Sequence, residues 1–398
     1  MSQTLINSIK KHGQRFIHYK YNFLPKDNNT YQLLINGNEF YPAMLDSIRN
    51  AKSTIYIIQY IFETSLTAAQ FIEALTQATK RGVKVYLLID AFGSNQLDNQ
   101  DRHRIKLAGI EIQLFNPLQK HHLIKYLYRD HRKLLVIDNS HAYIGGAGIC
   151  DDYNYPIDHP QSWQDIVVKV TGTLAIDCIT LAQKHLKIFD TQEIRSESEN
   201  QKVATLQLRQ SHGRLLISRS WRYNEIQRAI INAISKSNQR IWITTPYFVP
   251  TRKLRKKLKT AAHQGCDVRL LLPGKDSDHP WVNQVARQIY SNMLKNGIQI
   301  FEFQPKFTHA KAILCDDWVC IGSSNLDRWN QKFNHELNIE IQSPQLASDL
   351  ARFFESSFID SIQIDKKRWM QRSQFQKIKE WFWSKVVMWL ERFIHNMR

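Results

Sequence analysis

The chain has 398 residues, 43% of them hydrophobic and 11% aromatic, enough for two ordinary domains with sizeable cores and too apolar for a disordered protein. Its formal net charge of +18 points to an anionic partner, nucleic acid or an acidic membrane surface, without choosing between them. Five cysteines, Cys150, Cys178, Cys266, Cys315 and Cys320, form no CxxC pair, which argues against a disulfide framework or zinc cluster and fits a reducing compartment.

Residues 1–30 read as an N-terminal extension without the apolar core of a signal peptide. Nowhere does an uncharged apolar run reach roughly 18 residues, so no membrane span is expected. "EFYPAMLDSIRNAKSTIYIIQYIF" then predicts a helix followed by a strand, and "AAQFIEALTQATKRGVKVYLLID" predicts a helix closed by Gly82 and a β-branched, Leu-rich strand. "RHRIKLAGIEIQLF" repeats that order with Gly109 at the break. Next comes "HRKLLVIDNSHAYIGGAG", a His-x-Lys, four residues, an Asp, and an apolar run into Ile-Gly. This first half spans about residues 31–190, and the polar stretch around 191–204 reads as a surface linker.

From about residue 205 to 365 the same series recurs. "EIQRAIINAISKSNQRIWITTPYF", "RKLRKKLKTAAHQGCDVRLLLPG" (Gly265) and "SNMLKNGIQIFEF" (Gly297) lead to "HAKAILCDDWVCIGSSN". His131/His309, Lys133/Lys311 and Asp138/Asp316 share one offset, 309 − 131 = 178. A chance likeness between α/β pieces would not keep order, glycines and offset together. Strands alternating with helices predict an α/β fold of two tandem halves, each with a mostly parallel, buried sheet.

Side chains alternate faces along a strand, so His131 and Lys133 point the same way, as do His309 and Lys311. An imidazole beside an ammonium is a minimal phosphate site. Two facing pairs can do more: one histidine attacks phosphorus and the other moves the proton of the departing and incoming alcohols. Asp138 and Asp316 complete the candidate catalytic set, although an aspartate at a strand end can equally hold the turn. Ser323 and Asn325 are candidate substrate-binding groups. Asp165 and Glu336 are candidates for orienting the histidines, each 34 and 27 residues beyond the histidine of its own half (165 − 131; 336 − 309). His121 and His122 have no partner at ligand spacing and read as a basic loop, so no metal or other cofactor is expected.

These stretches, with "TPYFVP", "LLLPGKDSDHP" and "NHELNIEI", make the chain resemble the phospholipase D superfamily, whose signature is the paired His-x-Lys-x4-Asp motif. Within it the chain is similar to the bacterial cardiolipin synthases, over about residues 31–365. The resemblance implies two phospholipase D-like α/β/α halves around one active site on a pseudo-twofold axis. It also implies a phosphohistidine intermediate and no obligatory metal. Carried over by motif, His131, Lys133, His309 and Lys311 are catalytic, Asn325 assists, and Asp165 and Glu336 orient; family usage makes His131 the nucleophile and His309 the acid/base. Gly148 stands where relatives commonly carry an asparagine matching Asn325, so one phosphate contact is expected to be missing. The N-terminal spans of some cardiolipin synthases are absent from the sequence, which suggests a shorter, peripheral type.

The tail, residues 366–398, carries Trp369, Trp381, Trp383 and Trp389 among lysines and apolar residues at helical spacing. It reads as a basic amphipathic helix for an anionic bilayer, or as a helix packed on the second half. A second basic cluster runs from Arg252 to Lys259. The expected partner is thus an anionic phospholipid membrane holding phosphatidylglycerol, on the cytoplasmic face of a bacterial cell. The expected reaction joins two phosphatidylglycerols into cardiolipin and glycerol. A phosphodiesterase acting on nucleic acid suits the charge equally well, but both motifs lie in one chain and the tail offers no base-stacking platform, so nucleic acid is not expected. A non-catalytic membrane scaffold would have no need of two histidine–lysine pairs.

Overall fold

The computed structural model describes residues 23–117, 127–154, 162–186, 211–220, 223–274, 280–327 and 332–373. The first half runs β1 (Asn29–Ile35), α1 (Gly37–Asn50), β2 (Thr54–Gln59), α2 (Leu66–Lys80), β3 (Lys84–Asp90), α3 (Asn99–Leu107), β4 (Glu111–Phe115), β5 (Leu134–Ile137), β6 (His141–Gly145), β7 (Ile166–Gly172) and α4 (Thr173–Leu186). Its seven strands lie in the order β1-β7-β6-β5-β2-β3-β4. The second half begins with β8 (His212–Ser220), β9 (Tyr223–Asn224), α5 (Glu225–Lys236), β10 (Arg240–Thr244), β11 (Phe248–Val249), α6 (Arg252–His263), β12 (Asp267–Pro273) and α7 (Pro280–Lys295). It continues with β13 (Gln299–Phe303), β14 (Ala312–Cys315), β15 (Trp318–Gly322), β16 (Leu326–Asp327), β17 (Glu336–Gln342), α8 (Pro344–Ile359), β18 (Ser361–Gln363) and α9 (Lys366–Met370). Nine of these strands form a second sheet, β18-β13-β12-β10-β14-β15-β17-β8-β9.

The α/β class and the two tandem halves hold, while the expectation of mostly parallel sheets is corrected. Among the described residues of the two sheets, β2-β3-β4 and β10-β12-β13 pair in parallel and every other ladder is antiparallel, while β11 and β16 form a separate short parallel pair. The cause lies in the connections. A crossover helix returns the chain for a parallel strand, whereas β5–β6 and β14–β15 are joined by turns of three and two residues, which permit only an antiparallel return. Those turns place Asp138, Asn139 and Asp316 at φ of 48°, 55° and 52°, a region that Asp and Asn tolerate better than most residues. Gly82 and Gly265 close α2 and α6 at φ of 89° and 90°, as expected for glycine at a helix end.

Helices α1 and α2 cover the outer face of the first sheet and α5, α6 and α7 that of the second, each over its own apolar core. Between the sheets lies a shared core, in which Ile58, Val136, Val168 and Leu181 join Ile217, Leu314, Ile339 and Phe354. The backbones of the two halves also meet at two parallel bridges, Asp130↔His335 and Gln164↔Thr308. Residue 130 leads into β5, which runs against β2, and residue 335 leads into β17, which runs against β10 through β15 and β14. A parallel bridge between them therefore turns the C-terminal ends of both sets of parallel strands the same way.

Trp369 in α9 is buried, with its ring 5.0 Å from Tyr290 and its Nε1 3.2 Å from the Ser291 hydroxyl. One of the four tail tryptophans thus belongs to the second half. The rest of the tail from residue 374, the linker at 191–204, the first 22 residues, and His121 and His122 lie outside the described residues. All five cysteines are buried and unpaired. Among the described residues no helix is long and apolar enough to cross a membrane.

Candidate active site

Each motif histidine sits where the chain leaves the seam for its strand. The His131 N–H donates to the His335 carbonyl (2.9 Å) and the His309 N–H to the Gln164 carbonyl (2.7 Å). In return the His335 N–H donates to Arg129 (2.8 Å) and the Gln164 N–H to Phe307 (2.9 Å). His335 precedes Glu336 and Gln164 precedes Asp165, so this backbone pairing carries each carboxylate to the histidine of the opposite half. His131 Nδ1 lies 3.1 Å from Glu336 Oε2, and His309 Nδ1 lies 2.7 Å from Asp165 Oδ2. Each carboxylate thus meets the histidine of the other half, although it follows its own histidine in sequence, because the bridges at the seam cross the two halves.

The structure brings His131, Lys133, His309, Lys311, Asp165 and Glu336 together, with Ser323 and Asn325, and all eight are buried. Besides Glu336, His131 Nδ1 faces the Ser323 carbonyl at 3.2 Å. Both are acceptors, so Nδ1 holds the proton and Nε2 keeps its lone pair. The Ser323 hydroxyl donates to Glu336 Oε2 at 2.5 Å. His309 is held differently. Its Nδ1 meets the Tyr153 hydroxyl at 3.0 Å as well as Asp165, and Lys311 Nζ lies 2.9 and 3.0 Å from its two ring nitrogens. Lys133 donates to the His131 carbonyl at 2.8 Å.

Burial governs the charges here. It pushes the His131 imidazole below its usual pKa, opposed in part by Glu336. Burial, with the Lys311 charge adding to it, lowers Lys133 to about 7. Burial raises Asp165 to about 6, the nearby Lys311 charge holding it back from going further. Lys133 is therefore an amine that a bound anion would draw back toward its charged form.

The halves are not copies at this point. Gly146 matches Ser323, and a Cβ there would come within 2.6 Å of the Asp165 carboxylate oxygens. Gly148 matches Asn325, and a Cβ there would meet Ile61 Cβ at 2.8 Å, so the missing asparagine has been replaced by packing. Asn325 Oδ1 has no hydrogen-bond partner among the described residues.

Asp138 and Asp316 are not at the site. They close the far ends of β5 and β14, seven residues or roughly 20 Å of strand from the histidines. Asp138 accepts from the N–H groups of Lys52 (2.6 Å), Ser53 (2.7 Å) and Thr54 (3.0 Å). Asp316 accepts from Asn238 (3.0 Å), Gln239 (3.1 Å) and Arg240 (2.9 Å). These contacts are those of an aspartate holding a turn, the second of the two roles open to it at a strand end.

Three aromatic residues at the site went unnoticed in the sequence. The Tyr60 ring stands edge-on to His131 at 4.6 Å, with Lys133 Nζ 5.0 Å from its centroid. Tyr153 and Trp163 flank His309 at 5.7 and 5.4 Å. Tyr60 follows β2 directly, and loops at the C-terminal ends of parallel strands are the usual site-builders of open α/β sheets, which was the available signal. Tyr153 packs so close to the start of α1 that a Cβ on Gly37 would lie 1.8 Å from its carbonyl oxygen.

On the opposite face of the His131 strand, Asp130, His185 and His335 place ligand-type atoms within 4.8 Å of one another. Arg132 pairs with Asp130 and approaches His185 Nδ1 at 3.0 Å. A guanidinium fills the place a metal cation would take, so this group is an ion-pair network at the seam.

A family model described as "Cardiolipin synthase, PLD-like domain" matches residues 44–190 and 230–358. Cardiolipin synthase 1 of Bacillus cereus is 29% identical over 373 residues, covering 89% of this chain and 72% of that protein. Cardiolipin synthase of Clostridium perfringens is 29% identical over 399 residues, covering 95% and 83%. Among solved structures, phosphatidylserine synthase of Haemophilus influenzae shares the fold, with a TM-score of 0.69 at 14% identity over 92% of this chain and 94% of that one. The matched family model takes in both halves and both histidine–lysine pairs: the chain belongs to the cardiolipin synthase, PLD-like domain family.

Proposed function

We propose that the protein is a cardiolipin synthase that acts through a phosphohistidine. The observation that carries this reading is the buried pair of histidines, each with Nδ1 held by a carboxylate of the opposite half and each accompanied by a lysine. The names of the curated relatives support the same reaction.

His131 Nε2, its lone pair free, attacks the phosphorus of one phosphatidylglycerol. The P–O bond to the glycerol headgroup breaks as His309 protonates the departing oxygen, and glycerol leaves. The phosphatidyl group is now on His131. A glycerol hydroxyl of a second phosphatidylglycerol gives its proton to His309 and attacks phosphorus, the P–N bond breaks, and cardiolipin forms. Lys133, Lys311 and Asn325 meet the charge on the phosphoryl oxygens, in a site where burial makes each such contact count for more than in water. Glu336 steadies the His131 imidazolium that forms on attack. The enzyme works peripherally on the anionic cytoplasmic face of a bacterial membrane, a setting that suits its charge of +18.

Lipid products from phosphatidylglycerol vesicles test this. Wild type should yield cardiolipin and glycerol, while His131→Ala and His309→Ala should each lose on the order of a thousandfold in rate. Phosphatidic acid as the only wild-type product would make the protein a hydrolase.

A further inference from the structure

A phosphodiester at a bilayer surface reaches His131 and His309 only if the end of the molecule that carries them meets the lipid. Both sheets turn the C-terminal ends of their parallel strands toward that end, and both motif strands start from it. Three of the exposed large apolar side chains stand there. Leu66 (77% exposed) opens α2 after the β2 loop, Phe92 (48%) follows β3, and Ile359 (84%) ends α8, which climbs toward the same end. The loops bearing Leu66 and Phe92 brace each other. The Ser94 hydroxyl donates to the Tyr60 carbonyl (2.9 Å), and the Asp98 N–H donates to the Thr64 hydroxyl (2.9 Å).

The repeat shows what the second half carries at the same end. Ser65 caps α2 by accepting from the Ala68 N–H, and Thr251 caps α6 by accepting from Leu254. Where α2 then begins with Leu66, α6 begins with Arg252 and Lys253. Leu254, Leu258 and Ala261 bury the inner side of α6, leaving Arg252, Lys253 and Lys256 exposed. One side of the catalytic end is thus apolar and the other cationic. The positive end of the α6 dipole adds to the second.

We infer that this end is the bilayer-docking face: Leu66 and Phe92 enter the boundary between headgroups and acyl chains, and the first turn of α6 rests on anionic headgroups. The inference rests on the lipid-transferase reading above and names the surface through which that site meets its substrate.

Full-length protein is sedimented with phosphatidylglycerol or phosphatidylcholine vesicles and assayed on monomeric short-chain phosphatidylglycerol. Leu66→Asp/Phe92→Asp should weaken binding to phosphatidylglycerol vesicles by roughly tenfold or more. Arg252→Glu/Lys253→Glu should remove roughly tenfold of the preference for anionic vesicles. Both variants should turn over the monomeric lipid as wild type does, which also shows that they fold. Leu107→Asp, equally exposed (74%) at the far end of α3, should bind vesicles normally. Unchanged vesicle binding by both double variants, or an equal loss in Leu107→Asp, overturns the docking face. So does a result in which the charge reversal weakens binding to duplex DNA and leaves vesicle binding intact. Wild type that binds vesicles through this face yet turns over no phosphatidylglycerol, short-chain or bilayer, sinks the transferase reading and leaves the docking face standing.

Discussion

In the proposed reaction Lys133 must be an ammonium to meet phosphoryl charge, yet its burial lowers it from 10.5 to about 7. Asp165 must be a carboxylate to hold His309, yet its burial raises it to about 6. Below the lower value Asp165 gains a proton and His309 loses its orienting charge; above the higher value Lys133 loses one and a cation disappears. The kcat/KM of the free enzyme should therefore rise as pH approaches 6 and fall as pH passes 7, with each limb reporting one group. Lys133→Arg should carry the alkaline limb upward, because a guanidinium stays charged there, at a lower plateau since its fork replaces a point charge. A pH–rate series on both proteins checks this, and an unmoved alkaline limb would assign that limb to another group. The same shift bears on stability. Between pH about 7 and 10.5 the unfolded chain protonates Lys133 while the folded one does not, so its cost to the fold grows as pH falls through that window and is complete below about 7.

The turns that return the chain after β5 and β14 depend on Asp138 and Asp316. Asp138→Ala leaves three strand-end N–H groups without their acceptor and places alanine at a φ of 48°. It should lower stability by about 1–3 kcal/mol while kcat on soluble substrate stays near wild type. A loss of kcat without a fall in Tm would return Asp138 to the chemistry. The sequence motif could not separate the two roles, because a residue at the same spacing from His-x-Lys in both halves looks catalytic until its position along the strand is seen. Helix and strand order, the helix-closing glycines and the Trp-rich tail's alternative of packing were readable from local pattern, the last at Trp369 alone. Strand direction was misread, because alternation of helix and strand ends at β4 and the two hairpins that follow obey turn length instead.

The crossing of carboxylates at the seam is invisible at short range. Glu336 reaches His131 across 205 residues and Asp165 reaches His309 across 144, whereas the intervals of 34 and 27 within each half suggested local pairs. Only the bridges Asp130↔His335 and Gln164↔Thr308 decide between the two arrangements, and no local propensity encodes them. The crossing can be measured. In a double-mutant cycle on thermal stability, His131→Ala should couple more strongly with Glu336→Gln, its hydrogen-bond partner, than with Asp165→Asn. Stronger coupling within a half than across the seam would contradict the crossed site. The buried aromatic walls are also a whole-molecule product: Tyr60, Tyr153 and Trp163 all come from the first half, yet two of them flank the histidine of the second.

Because neither half can orient its own histidine, a lone copy of such a half could build a working site only by pairing with an identical twin. Every residue would then appear twice, and a change that suited one side of the reaction would be imposed on the other. Two copies in one chain lift that constraint. Ser323 can back Glu336 while Gly146 clears space for Asp165, and Asn325 can face the site while Gly148 yields to Ile61. In the proposed reaction attack and proton transfer are different tasks, and covalent linkage of the halves lets one repeated design divide them.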